Sequence, residues 1–397
     1  MAAHSARSLG GGGVCVFVAC LIPVLVAPPA HADAIQKVVD KVSVEQYRTY
    51  EVDLENMGLG LYGGPLFNQG RRNRDGWAGN GTLGNQEARL YLTDKLSALG
   101  LTVSIQGIYK NVVAEWRGTE KPREIYIVCA HYDTTGGNER PNGSERPGGD
   151  DNASGTAGVL EAARVLTQYQ FRSTLRFIGF NAEEEWMLGS SDYVNSLPQD
   201  ANVVGVINLD MILRPAWDSD PNEPNDLEVE TLEAPFCTAW VQAFVAAATT
   251  YVPSLLIDPN SHYPVVWEAG DHGPFVYAGY PAFVAIENTA EEVWSGNSNA
   301  YYHSSQDASD ALANSPLSPS GVRYDYDFAA NVVKATVATL ALRAGLIPPA
   351  DPNAGPEPVA PADPNATPLP QTGSDSLSVG PAAQWMRLEQ IAESWRP

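Results

Sequence analysis

His131, His262, His272 and His303 are the histidines that lie beyond the N-terminal leader. Histidine is also the side chain best suited to bind a metal or move a proton near neutral pH. Three of the four have carboxylates beside them: His131-Tyr132-Asp133, Asp271-His272, and His303 with Asp307 nearby. A single histidine beside an apolar run is more often a hydrogen-bonded core residue. The repeated pairing favours metal chemistry instead, because a metal-bound imidazole commonly passes its other N–H to a carboxylate, which fixes the tautomer.

Those side chains need elements to bring them together, and the apolar pattern supplies them. Runs rich in β-branched and aromatic residues occupy 124–130, 174–180, 203–209 and 282–286, separated by segments long enough for helical crossovers. Helical spacing puts Val159, Ala162, Ala163 and Leu166 on one stripe, and Phe328, Val332, Val333, Val337 and Leu340 on another. Strands alternating with helices predict an α/β fold in three layers, with a mostly parallel, mixed central sheet flanked by helices. His131 directly follows the first run, Glu183 and Glu184 come just after the second, and Asp210 follows the third. The carboxyl edge of such a sheet is where ligands bind, so residues far apart in sequence would converge in one crevice there.

The chain has 397 residues, of which 44% are hydrophobic, enough for a large core. Its net charge of -23 argues against a nucleic-acid partner, since such binding needs Lys and Arg to displace counterions. Residues 1–32 read as a signal peptide: Arg7, an apolar run over 14–27, and a small-residue cleavage site at Ala30-His31-Ala32. The apolar run continues past Cys20, which argues against a lipoprotein. The expectation is a secreted protein, extracellular or periplasmic, with no membrane span after cleavage. Residues 33–347 then form the main domain and 348–380 a Pro-rich disordered linker. Residues 381–397 form a short amphipathic helix with Trp385, Leu388, Ile391, Ala392 and Trp395 on one face. Leu369-Pro370-Gln371-Thr372-Gly373 imitates a sortase signal but lacks the apolar stretch and basic residues that should follow.

Export would permit a disulfide between Cys129 and Cys237, but Cys129 lies within an apolar strand run and reads as a small core residue. The acidic stretch 214–233 reads as a solvated insertion. Asp218, Asp220 and Asn222 imitate the start of a calcium loop, with Val229 where its closing glutamate should fall. Neither a Gly-x-Ser-x-Gly elbow nor a His-Glu-x-x-His pair occurs.

One ordered series of segments carries a family resemblance. It runs Ala130-His131-Tyr132-Asp133, Pro147-Gly148-Gly149-Asp150-Asp151-Asn152-Ala153-Ser154-Gly155, Ala182-Glu183-Glu184, Gly189-Ser190, Asn208-Leu209-Asp210, Asp271-His272, Ala278-Gly279-Tyr280-Pro281-Ala282 and Tyr302-His303-Ser304-Ser305. The series resembles the co-catalytic zinc aminopeptidases of metallopeptidase family 28, whose relatives include glutamate carboxypeptidase, transferrin receptor and glutaminyl cyclase. It spans roughly residues 86–344 and implies a zinc aminopeptidase-like (phosphorylase/hydrolase-like) fold with two Zn2+ per chain.

By that resemblance His131 and Asp210 bind one ion, Glu184 and His303 the other, and Asp151 bridges both. Asp150 competes for the bridge, but the family places the bridging acid immediately before Asn-x-Ser-Gly. An imidazole and carboxylate set suits zinc and leaves positions for water and substrate. Glu183 takes the position of general base, Tyr302 that of an oxyanion donor, with Tyr301 its neighbour, and Asp133 and Asp271 orient His131 and His272. The implied substrates are peptides with a free N-terminus, their terminal residues apolar, and the implied state is a monomer. Trp186 departs from the family, which commonly has glycine there. The indole either packs in the core or reshapes the substrate pocket. Two other readings share the framework: a glutaminyl cyclase-like acyl transferase using one zinc, and a non-catalytic binding ectodomain.

Overall fold

Residues 29–76, 81–135, 145–215, 226–232, 234–258, 270–287, 299, 301–309 and 324–348 are described in the computed structural model. The helices are α1 (Pro29–Val39), α2 (Val44–Glu55), α3 (Leu83–Ala98), α4 (Gly155–Leu166), α5 (Leu188–Ser196), α6 (Pro235–Tyr251), α7 (Gly273–Tyr277) and α8 (Tyr326–Arg343). The strands are β1 (Thr102–Gln106), β2 (Asn111–Trp116), β3 (Lys121–His131), β4 (Gln170–Phe171), β5 (Ser173–Phe180), β6 (Asn202–Leu209), β7 (Glu228–Glu230), β8 (Ala282–Ile286) and β9 (Leu346–Ile347).

Among the described residues the main sheet has the order β1-β2-β5-β3-β6-β8-β7. The four strands expected from sequence, β5, β3, β6 and β8, are its parallel centre. The short strands β1, β2 and β7 add antiparallel edges. Successive side chains of a strand point to opposite faces, and β3 shows both faces covered. Tyr126, Val128 and Ala130 pack into one core with residues of α2, α4 and α8. Ile125, Ile127 and Cys129 pack into a second core with Tyr193 of α5 and Phe275 of α7. The result is the three-layer arrangement expected from sequence.

Two close approaches bring helix starts against strand ends. A Cβ on Gly155 would lie 2.1 Å from the Leu209 carbonyl oxygen, and one on Gly189 would lie 2.0 Å from that of Asn181. Only glycine fits at either place. The glycines of the Ser-Gly and Gly-Ser pairs thus hold α4 and α5 against the ends of β6 and β5, where Asp210 and the Glu183-Glu184 pair begin.

The acidic stretch 214–233 is not wholly a solvated insertion. Within it β7 pairs with β8 in the register Val229↔Ala285, and Leu227, Glu228, Val229, Glu230 and Thr231 are buried. The alternating Leu227 and Val229 are the apolar contribution that its acidic composition masks. Asp218, Asp220 and Asn222 lie outside the described residues, as do 1–28 and 349–397, which hold most of the leader, the linker and the C-terminal segment. Helix α1 runs through the expected cleavage point after Ala32, and its fully buried residues start at Ile35. Cys129 and Cys237 are both free and buried. No described helix is long and apolar enough to cross a membrane.

Candidate metal centre

His131 ends β3 and Asp210 directly follows β6, so the two meet at neighbouring strand ends, Nε2 of His131 lying 3.4 Å from Oδ1 of Asp210. Asp151 comes from the turn Gly149–Ser154 that precedes α4. Its Oδ1 is 3.3 Å from Nε2 of His131 and its Oδ2 is 3.1 Å from Nε2 of His303. Nε2 of His303 is also 3.1 Å from Oε2 of Glu184, which follows β5. Asp151 therefore stands between two groups, one oxygen facing each.

These spacings suit a shared metal ligand set. Zinc bonds of about 2.0–2.1 Å to nitrogen and oxygen at tetrahedral angles put neighbouring ligand atoms about 3.4 Å apart. The observed gaps of 3.1–3.4 Å match that edge length. His131, Asp151 and Glu184 each offer one ligand atom within 4.8 Å of the others. The donor set would suit metal, with His131, Asp151 and Asp210 converging on one side and Asp151, Glu184 and His303 on the other.

The surroundings fix these side chains. Nδ1 of His131 lies 3.2 Å from the Asp133 carbonyl oxygen and 3.5 Å from Oδ1 of its carboxylate, which leaves Nε2 to face the centre. Asp133 also accepts from the backbone N–H groups of Glu183 and Glu184, both at 3.3 Å, so one carboxylate braces two loops. The Thr135 N–H donates to Oε1 of Glu184 at 3.0 Å. The Thr156 hydroxyl donates to the His131 carbonyl at 2.6 Å. Ala182, Met211 and His303 take left-handed backbone, with φ of 58, 49 and 55°. Such non-glycine conformations are costly and gather at functional sites.

Asp150 does not compete for the bridge. Its Oδ1 accepts from Leu213 N–H at 2.9 Å and its Oδ2 from Asn299 Nδ2 at 3.1 Å. Asp307, read beside His303 from sequence, instead accepts the backbone N–H groups of Asp150 and Asp151, both at 3.0 Å, and a hydrogen bond from the Tyr324 hydroxyl. It shapes the turn that presents Asp151. Asp271 and His272 are both buried ahead of α7.

Sequence reasoning also missed Arg74, which is fully buried. Its guanidinium donates to the carbonyls of Tyr132 at 3.0 Å, Leu54 and Pro147 at 2.6 Å each, and Gly148 at 2.9 Å. It ties α2 to both segments that carry His131 and Asp151. A lone arginine far from every recognised segment gives no signal of this. Asn152, the residue after Asp151, joins the same turn to the end of β6 and the start of α4. Its Nδ2 donates to the Leu209 carbonyl at 3.0 Å, and its Oδ1 accepts from Gly155 N–H at 2.7 Å.

The electrostatics follow from crowding acids and imidazoles out of water. Burial opposes charge on His131, but Asp210, Asp133 and Asp151 outweigh it and raise its pKa well above the usual value. His303 is raised to about 11, burial again being overcome by Glu184 and Asp151. Burial opposes charge on Asp151 too, yet the two histidines hold its carboxyl below the usual range. Burial raises Glu184 to about 7, with Asp151 adding and His303 opposing. Glu183 is raised well above its usual value by burial first, then by Asp271, Asp210 and Glu184, against His131. Its carboxylate makes none of the four close contacts above. Tyr302 stacks on the His303 ring with centroids 3.6 Å apart. Its hydroxyl is raised by burial and by Asp151, Glu184, Glu183 and Asp210, so it stays protonated and able to donate.

Residues 111–319 match the family model described as Peptidase family M28. The chain is similar to aminopeptidase YwaD of Bacillus subtilis, with 30% identity over 213 residues, 51% of this chain and 41% of that protein. It spans about half the length of the curated relatives it matches. Among solved structures it is similar to the Legionella pneumophila LapA aminopeptidase, with TM-score 0.58, 19% identity, 80% of this chain and 76% of that one. It is also similar to a Bacteroides thetaiotaomicron glutaminyl cyclase bound to N-acetylhistamine, with TM-score 0.54, 19% identity, 75% of this chain and 97% of that one. At such identities the likeness speaks for the fold alone.

Proposed function

The chain belongs to peptidase family M28, and from that premise we propose that it is a secreted, two-zinc aminopeptidase that releases the N-terminal residue of peptides. The observation that carries this reading is Asp151, whose two oxygens face two different histidines at 3.3 and 3.1 Å. A carboxylate so placed suits two ions sharing one ligand. Export rests on the leader pattern of residues 1–32, and the proposed state is a monomer.

His131, Asp151 and Asp210 would hold one zinc, and Asp151, Glu184 and His303 the other. When bound, the two ions supply Lewis acidity that acidifies a water and polarises the scissile carbonyl. Glu183 takes a proton from the attacking water as the water oxygen bonds to the scissile carbonyl carbon. It then hands the proton to the departing amine as the C–N bond breaks. Burial, which raises the Glu183 pKa, makes the carboxylate a strong enough base for the first transfer and an able acid for the second. The Tyr302 hydroxyl donates to the oxyanion, and Asp133 keeps His131 turned with Nε2 inward.

Metal content and leucine-amide hydrolysis, measured on the wild type and Glu183→Ala, test the assignment. The expected result is metal retained and turnover reduced about 100-fold or more, the usual scale of a general acid–base group. No amide turnover by the zinc-loaded wild type, or cyclisation of Gln-initiated peptides without hydrolysis, would reject it.

A further inference from the structure

Tryptophan usually hides its ring, yet Trp186 is 62% exposed two residues beyond Glu184. The loop that carries it is closed on both sides: Met187 N–H donates to the Glu183 carbonyl at 2.7 Å and Leu188 N–H to that of Ala182 at 3.0 Å. Its neighbours Glu185 and Met187 are buried, and the Met187 sulfur accepts from Gly270 N–H at 3.1 Å, next to Asp271. The loop backbone two residues beyond Glu184 is therefore a fixed frame, and the indole it carries is largely exposed. Trp186 and Met187 both take left-handed backbone, with φ of 71 and 55°. Glycine would adopt that conformation freely, whereas a bulky side chain is strained there. Keeping a large aromatic at a position that suits glycine, without burying it, points to a use on its outer side.

A second apolar side chain lies along the same edge. Ile108 is 67% exposed on the β1–β2 turn, and that turn is fastened to the loop by a 2.7 Å bond from Asn181 Nδ2 to the Tyr109 carbonyl. Leu188 is 38% exposed as well. Exposed apolar groups on segments tied to the loop of a polar centre suit a binding surface.

We propose that Trp186 is a specificity-determining residue, an apolar wall that selects substrates with an aromatic or branched aliphatic side chain next to the scissile amide. This rests on the aminopeptidase reading above. The test uses the zinc-loaded full chain and its Trp186→Gly and Trp186→Phe variants. Each is assayed on dipeptide amides in which either residue is Ala, Leu or Phe, with zinc content and the thermal midpoint measured alongside.

The expected result is that the kcat/KM preference for Leu or Phe over Ala, at one of the two positions, falls about 10-fold or more in Trp186→Gly. Trp186→Phe keeps most of the preference, and zinc content is unchanged in both. An unchanged preference, or an equal fall across all substrates, overturns the inference while leaving the aminopeptidase reading standing. A wild type that hydrolyses none of the amides overturns both.

Discussion

Zinc loading should expel a countable number of protons, because the metal-free centre holds them on the very atoms a metal needs. His303, raised to about 11, is charged at pH 7, and so is His131, raised well above its usual value. Each must lose one proton to offer Nε2. Glu184, raised to about 7, is about half protonated at that pH and gives up the remainder. Loading at pH 7 should therefore release about two to two and a half protons per chain. The direction is set by competition: raised pKa values keep protons on the ligands as pH falls, so affinity rises with pH throughout the range below 11. Each released proton steepens the affinity by a factor of ten per pH unit, about 1.4 kcal/mol. Two protons thus imply about 100-fold tighter zinc binding for each unit gained between pH 6 and 8. Calorimetric titration of the chelator-stripped chain with zinc, repeated in buffers of different ionisation enthalpy, reads the proton count directly. Release of fewer than one proton, or an affinity flat across that range, would mean that the metal-free centre does not hold protons on the two histidines.

Two substitutions test the supporting residues. Arg74→Met should destabilise the protein by about 3–5 kcal/mol in urea unfolding, because it removes a buried cation that satisfies four backbone carbonyls; a loss below about 1 kcal/mol would show that it ties nothing together. Tyr302→Phe keeps the ring stacked on His303 while removing the hydroxyl. Turnover should fall about 100-fold with zinc retained, and a change within about threefold, under 1 kcal/mol, would remove Tyr302 from the oxyanion role.

The parallel centre of the fold was legible because β3, β5, β6 and β8 are buried on both faces and so appear as continuous apolar runs. The edges were not. β1 is an alternating, half-exposed pentapeptide, and β7 hides Leu227 and Val229 among acids. At the site, side chains that chemistry constrains by type could be named from their ordered segments: His131, Asp151, Glu183, Glu184, Asp210 and His303. The residues that position them were harder to see, because backbone carbonyls and N–H groups do the holding. Arg74 acts on four carbonyls, and Asp307 acts on the N–H groups of Asp150 and Asp151 rather than on the histidine it neighbours in sequence. A bond to backbone leaves no partner residue type in the sequence to recognise.

The most direct test is an anomalous difference map at the zinc edge from crystals of the zinc-loaded chain. Two peaks about 3.5–4 Å apart, with one oxygen of Asp151 on each, are the expected result. A single peak, or two peaks of which Asp151 touches only one, would contradict the shared-ligand centre on which the proposed hydrolysis depends.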